Sequence, residues 1–278
     1  MPSKFIRSTL ASALLTLWSL TSQANEGVIS SIETRSQQLT DLSDLIWDLA
    51  EVGYQETRSS EALKSALSAE GFSIEGGVAD IPTAFVASYG SGEPVIAVMG
   101  EFDALPGISQ AAVPFEQKIE GKNAAHACGH HLFGAASSTA AVALSQWLLA
   151  NDVRASIKLV GTPAEEGGSG KVYLARAEVF DGVDAVLHWH PGDRNSASPS
   201  STTSNKSGRF TFTGRAAHAA SAPDRGRSAL DGVEAMNYMV NLMREHVPQT
   251  ARLHYVITDG GDAPNIVPET AQVYYYVR

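Results

Sequence analysis

Leu39, Leu42, Leu45, Ile46 and Leu49 recur three and four residues apart, the spacing of one face of an α-helix, and predict a helix over residues 33–50. A second helix is predicted from Ser59 to Ala69, stopping at Gly71. Two β-rich runs follow, TAFVASYG (83–90) and PVIAVMG (94–100), with SGE between them reading as a turn. GAASSTAAVALSQWLLA (134–150) is apolar nearly all round, which predicts a buried helix. ASIKLVG (155–161) and VDAVLHWH (183–190) predict further strands, with a short helix between them around Lys171 to Glu178. Strands alternating with helices predict an α/β fold, a mostly parallel sheet flanked by helices.

The pattern changes after Pro191. Residues 196–208 (SASPSSTTSNKSG) are rich in Ser, Thr and Asn, as linkers and turns are. Beyond them, strand 209–214, a helix near Arg227 to Glu245, and strands 252–258 and 271–278 predict a smaller β-α-β-β unit. The boundary is placed near residue 203, giving domains 25–203 and 204–278. A β-α-β-β unit ordinarily continues with another helix and strand. The sequence stops at Arg278 within a predicted strand, so it reads as the N-terminal part of a longer chain, and residues 25–278 alone are expected to be inactive and poorly stable.

The first residues add a location. Lys4 and Arg7 precede an apolar run from Leu10 to Leu20, and Ser22 and Ala24 stand three and one residues before Asn25. That layout predicts a secretory signal peptide over residues 1–24, cleaved after Ala24, and a secreted or periplasmic protein. Composition narrows the partners. The hydrophobic fraction of 44% is that of a globular protein, and a formal charge of −10 argues against nucleic acid and anionic membranes.

Chemistry concentrates in NAAHACGHHLFG (123–134), where His126, Cys128, His130 and His131 fall within six positions of a chain with eight histidines and one cysteine. These residue types bind zinc-like metals. In an oxidising compartment a single Cys cannot form an internal disulfide, so Cys128 is either a free thiol or a metal ligand. Ligands in open α/β sheets lie beyond the carboxyl ends of strands. Four such ends carry polar groups here: Glu101 and Asp103, the His/Cys cluster, Glu165–Glu166, and His188 with His190. Paired carboxylates suit a metal-dependent hydrolase, which uses one to hold metal and another to move a proton.

DALPG (103–107), HACGH (126–130), PAEE (163–166), GRAAHAASAPDRGRSALDGV (214–233) and GGDAPNIVPETAQVYYYVR (260–278) occur in the order found in a known family. The chain resembles the two-metal amidohydrolase family of aminoacylases, hippurate hydrolase, carboxypeptidase G and auxin-conjugate hydrolases. AVLHWHPGD and GHHLFG resemble its aminobenzoyl-glutamate hydrolase branch. The resemblance implies two divalent ions, Zn2+ or Mn2+, held by Cys128, His130, Glu166 and His190, with His188 as the second choice for the last. It implies Glu165 as general base, Asp103 as an aspartate supporting the metals, and His218 as the residue that reaches the substrate carbonyl. Asn265 and Arg278 match positions gripping a free substrate carboxylate, and the second domain resembles a lid through which homodimers form. Glu101 stands where many members have a metal-binding histidine; in the cysteine-using branch the resemblance implies an acidic residue that is not a ligand.

Two departures qualify the match. His131 replaces the aspartate usual after CGH, and the family's last metal-binding histidine lies beyond Arg278. Three readings stay open: an amidohydrolase acting on small acyl-amino acids, seen as a fragment; an exported protein of the same fold that binds such molecules without cleaving them; and a domain with one structural zinc. The Glu pair is superfluous in the third.

Overall fold

The computed structural model describes residues 26–197 and 201–278; the expected signal peptide, residues 1–24, lies outside the described residues. The chain divides into two compact units between Asn195 and Ser196, at the start of the Ser/Thr-rich stretch.

The first unit is built on a five-stranded sheet of β1 (Ser73–Gly76), β2 (Phe85–Gly90), β3 (Val95–Gly100), β6 (Ser156–Gly161) and β7 (Ala185–Leu187), in the order β1-β2-β6-β3-β7. A small hairpin-like pair, β4 (Leu105–Pro106) and β5 (Ala124–Ala125), lies outside it. The helices are α1 (Ser36–Leu49), α2 (Thr57–Ala69), α3 (His130–Ala150), α4 (Glu165–Gly168) and α5 (Gly170–Arg176). Residues 26–34 are also helical, so the predicted first helix begins further toward the N-terminus.

The expectation of a mostly parallel sheet is corrected. β3 pairs in parallel with β6 and β7, but β1 with β2 and β2 with β6 are antiparallel, so the sheet is mixed. The cause is the short link after β2. A parallel connection needs a crossover of a dozen residues or more, so residues 91–94 can only reverse the chain. β2 and β3 nevertheless do not pair; β6, returning through the α3 crossover, fills the slot between them. The predicted strand 183–190 is also shorter than expected. Its ladder with β3 ends at Leu187, and His188–His190 leave it.

Apolar residues bury both faces. Phe85, Ala87, Val98, Ile157 and Leu159 face α1, α2 and α3 through Ile46, Leu63, Leu67 and Val142. Val86, Ala97 and Val160 face the other way, against Ile81 and Leu174. Alternating in and out along β2 and β6 is the period-2 signature of a covered sheet. By length and composition α3 could cross a bilayer, but most of it is buried in the protein. At ~1.5–3 kcal/mol per buried large apolar side chain, Phe85, Phe102 and Phe133, all fully buried, are major contributors to this core.

The second unit holds β8 (Lys206–Thr213), α6 (Ala229–Met243), β9 (Leu253–Asp259) and β10 (Thr270–Val277), with β10 central in an antiparallel sheet. Ala271, Val273 and Tyr275, alternate residues of β10, pack with Ala229 and Val233 of α6. Ser228 caps α6, its Oγ accepting from Asp231 N at 3.1 Å.

Candidate metal centre

The centre forms where β3 ends and α3 begins. Gly129, at φ 75°, turns the chain into α3 with His130 as its first residue. One turn on, a Cβ at Gly134 would lie 2.9 Å from Glu101 O, so only glycine lets the helix approach the end of β3 this closely. His130 is thereby set against Glu101 and Asp103, all three essentially without solvent exposure.

His130 Nδ1 donates to Asp103, with Asp103 Oδ1 and the Asp103 carbonyl both at 3.0 Å. Its Nε2 lies 2.9 Å from Glu101 Oε2 and 4.0 Å from Glu166 Oε1. His190 Nε2 approaches the same Glu101 oxygen at 2.8 Å, and His188 Nε2 lies 3.1 Å from Oε1, which also receives the Lys171 ammonium. The expected ligand His190 and its alternative His188 are thus both turned onto Glu101. Trp189, between them, points the other way and donates to Ser137 Oγ at 3.0 Å.

Two groups of donors result, Cys128/His130/Glu166 and Glu101/His130/His190, each with its ligand atoms within 4.8 Å of one another. Glu101 Oε2, His130 Nε2 and Glu166 Oε1 are buried without hydrogen-bond partners. Orphaned atoms of this kind are costly unless a cation satisfies them. The mixed sulfur, nitrogen and oxygen donors suit divalent ions such as Zn2+, so the residues present fit the metals that the resemblance implies.

Electrostatics agree. Burial disfavours charge on His130, but Asp103 and Glu101 outweigh it and raise its pKa to about 10. Burial likewise opposes the Glu101 carboxylate, yet His130, His188 and Lys171 hold it well below the usual carboxylate range. Burial, followed by the charges of Glu166, Glu165 and Glu101, pushes the Cys128 thiol up to about 12. Burial also raises Glu166. The raised Cys128 thiol and Glu166 carboxyl mark negative charge that a cation would relieve, whereas Glu101 already has His130, His188 and Lys171 as partners.

Glu165 and Glu166 sit on a turn clamped from three sides. Ala164, left-handed at φ 57°, donates its N–H to Glu56 Oε1 at 2.8 Å. Glu166 N donates to Asp103 Oδ2 at 2.9 Å, and Tyr54 OH donates to Gly168 O at 2.6 Å. Glu56 is fully buried and also accepts from Thr83 Oγ1 at 3.1 Å. Glu56→Ala would strand two buried donors, and the expected loss is on the order of 3 kcal/mol, with Glu56→Gln costing less. Urea unfolding measures it; an alanine variant with the original midpoint would show that the turn does not depend on Glu56.

Not all of the histidine cluster points inward. His126 is buried and donates from Nε2 to Ile46 O at 3.0 Å, and burial lowers its pKa to about 4. His131 packs edge-on against Trp47, with ring centroids 4.9 Å apart. Lys171 and Glu56 were not singled out from the sequence. Lys171 had a faint signal in its position just after the Gly-rich turn; Glu56 had none.

The second unit carries the remaining residues. His218 Nδ1 accepts from the Ala220 and Ser221 backbone N–H groups, each at 3.2 Å. Its strand neighbour is Ile266, and Ala219 N donates to Asn265 O at 3.0 Å, so His218 and Asn265 share one end of this unit. Arg278 lies at the opposite end of β10, against the Tyr276 ring.

Comparison with known proteins adds the family. The description "Peptidase family M20/M25/M40" fits residues 97–269. The chain is 44% identical over 251 residues to one subunit of the p-aminobenzoyl-glutamate hydrolase of Escherichia coli, covering 89% of this chain and 52% of that protein. Among solved structures it is similar to an aminobenzoyl-glutamate utilization protein from Klebsiella pneumoniae, with a TM-score of 0.60 and 19% identity over 90% of this chain and 69% of that one. It is also similar to a dinuclear metal-binding peptidase from Bacillus subtilis, with a TM-score of 0.53 and 23% identity over 86% and 64% of the respective chains. The chain spans about half the length of the curated relatives it matches. The α/β fold with a mixed, helix-flanked sheet is the fold of these structures, and the chain belongs to peptidase family M20/M25/M40.

Proposed function

We propose that this protein is a metal-dependent amidohydrolase cleaving the amide bond of N-acyl or N-aroyl amino acids, or dipeptides, with a free carboxylate, in the manner of aminobenzoyl-glutamate. The observation that carries the reading is the convergence of Cys128, His130, Glu166 and His190 at one strand edge, with orphaned donor atoms between them. Two divalent ions, Zn2+ or Mn2+, held by those residues would supply an acidified water and a polarised scissile carbonyl. Glu165 is exposed beside them on the clamped turn; its carboxylate takes the proton of the attacking water and returns it to the leaving amine. Asp103 keeps His130 and the Glu166 backbone in place. His218 accepts at Nδ1, so its proton is on Nε2, where it donates to the developing oxyanion.

Asn265 and Arg278 receive the substrate carboxylate. They stand at opposite ends of β10, whose eight residues extend roughly 26 Å. One carboxylate therefore meets both only if two copies contribute, which favours a homodimer formed through a lid unit, residues 204–278. Tyr238, Met239, Leu242 and Met243, exposed on α6, offer apolar surface for it. The metal-binding domain is then 25–203, and residues 1–24 are the signal peptide of an exported protein.

The test uses the complete natural protein, stripped of metal and reloaded with Zn2+ or Mn2+. Cleavage of an aroyl-glutamate should depend on metal and exceed that of its α-amide by about tenfold or more, the loss expected for a charge-assisted contact. Equal rates would count against carboxylate capture, and binding without cleavage would favour a non-catalytic binding protein. Light scattering and mass spectrometry should find a dimer of one polypeptide beginning at Asn25. An assembly of two different polypeptides, as the two named subunits of the Escherichia coli hydrolase allow, would remove the homodimer.

A further inference from the structure

We propose that Glu101 is itself a metal donor, closing with His130 and His190 a site of two nitrogens and one oxygen. This rests on the metal-dependent reading above and adds a residue outside the ligand set that the resemblance implies.

His130 Nδ1 faces only acceptors, the Asp103 carbonyl and Oδ1 at 3.0 Å, so that nitrogen carries a hydrogen. In the neutral ring Nε2 then presents a lone pair, and it faces a carboxylate oxygen, Glu101 Oε2, at 2.9 Å. His190 Nε2 crowds the same oxygen at 2.8 Å. The three donor atoms lie within 4.8 Å of one another, and one ion displacing the Nε2 protons would hold both imidazoles and the carboxylate at once.

The rest of Glu101 is arranged to leave that oxygen available. Lys171 and His188 engage Oε1 and fix the plane of the carboxylate. Oε2 has no hydrogen-bond partner, and neither Glu101 nor His130 has any solvent exposure. The centre is therefore chemically unequal. The Cys128 and Glu166 side offers a thiolate and suits Zn2+, whereas the Glu101 side, two imidazoles and a carboxylate, also accepts harder ions such as Mn2+.

The test is metal binding, independent of turnover. The complete natural protein is stripped of metal and titrated with Co2+, reading the thiolate-to-cobalt charge-transfer band as a reporter of Cys128 and the d–d bands as reporters of ligand field. The starting protein should take two ions. Glu101→Gln should keep the thiolate band and lose the other ion altogether, more than the roughly ten- to hundredfold weakening that loss of an orienting neighbour costs. Glu101→His, which substitutes one nitrogen donor for the oxygen, should restore the second ion with shifted d–d bands and roughly tenfold greater preference for Zn2+ over Mn2+. Should Glu101→Gln fail to fold, judged by circular dichroism, Glu101→His carries the test alone. Two ions still bound in Glu101→Gln, at original or up to about a hundredfold weaker affinity, or unshifted d–d bands in Glu101→His, would reduce Glu101 to an orienting role and overturn the proposal. Failure of the starting protein to bind any ion would overturn the metal-dependent reading with it.

Discussion

Glu165→Gln should lower kcat by about a hundred- to ten-thousand-fold, the range in which a positioned general base contributes, while the protein keeps its metal. The substitution preserves volume and the turn, whose clamps run through Ala164 and Glu166 rather than through the Glu165 side chain. It removes only the ability to accept a proton. Glu166→Gln should behave differently, because it weakens a ligand; its activity loss should be accompanied by metal loss. Measuring bound metal by mass spectrometry alongside kcat separates the two residues. Near-normal turnover in Glu165→Gln, or equal metal loss in both variants, would mean that their roles are wrongly divided.

Metal affinity should rise steeply with pH. Without metal, Cys128 is a thiol up to about pH 12 and His130 an imidazolium up to about pH 10. A cation binds only their deprotonated forms, so loading the centre near neutrality displaces two protons. Each displaced proton makes affinity about tenfold stronger per pH unit, roughly a hundredfold per unit together. Stability of the metal-free protein should instead pass through a maximum, falling on both the alkaline and the acid side. His130 has a raised pKa, so its contribution is complete below its unfolded value near 6.5 and is lost as pH rises toward about 10. Glu101 has a lowered pKa, so its contribution is present above the ordinary carboxylate range and is lost on acidification. Chelator competition and thermal unfolding, run over the same pH series, measure both. Affinity independent of pH would show that neither group holds its proton in the metal-free protein.

Some of this was legible in the sequence. Helices and strands of the first unit announced themselves through period: the Leu39–Leu49 stripe, the all-round apolar α3, and the short runs of β2, β3 and β6. Cys128, His130 and Glu166 stood out because thiols, imidazoles and paired carboxylates are rare and chemically specific. Sheet order was not legible, since β6 pairs with strands made long before it and no local pattern encodes that choice. Nor was the centrality of Glu101. A carboxylate reads as a surface charge until its burial is known, and its three imidazole neighbours and Lys171 come from separate parts of the chain. Glu56 was hidden for the same reason, as an ordinary acidic residue before a helix.

The slot between β2 and β3 bears on how the protein is made. These strands leave the ribosome together, joined by residues 91–94, yet they must stand about 10 Å apart, two strand spacings, to admit a third. Until residues 156–161 have been synthesised, both inner edges present unpaired N–H and C=O groups. During that interval the nascent chain offers two open templates to any extended segment, its own or a neighbour's. Closure comes from α3, which carries β6 back to the slot and brings His130 to the end of β3. A chain stalled before β6 therefore already holds Cys128 and His130 but has neither a sealed sheet nor Glu166 and His190, which follow β6.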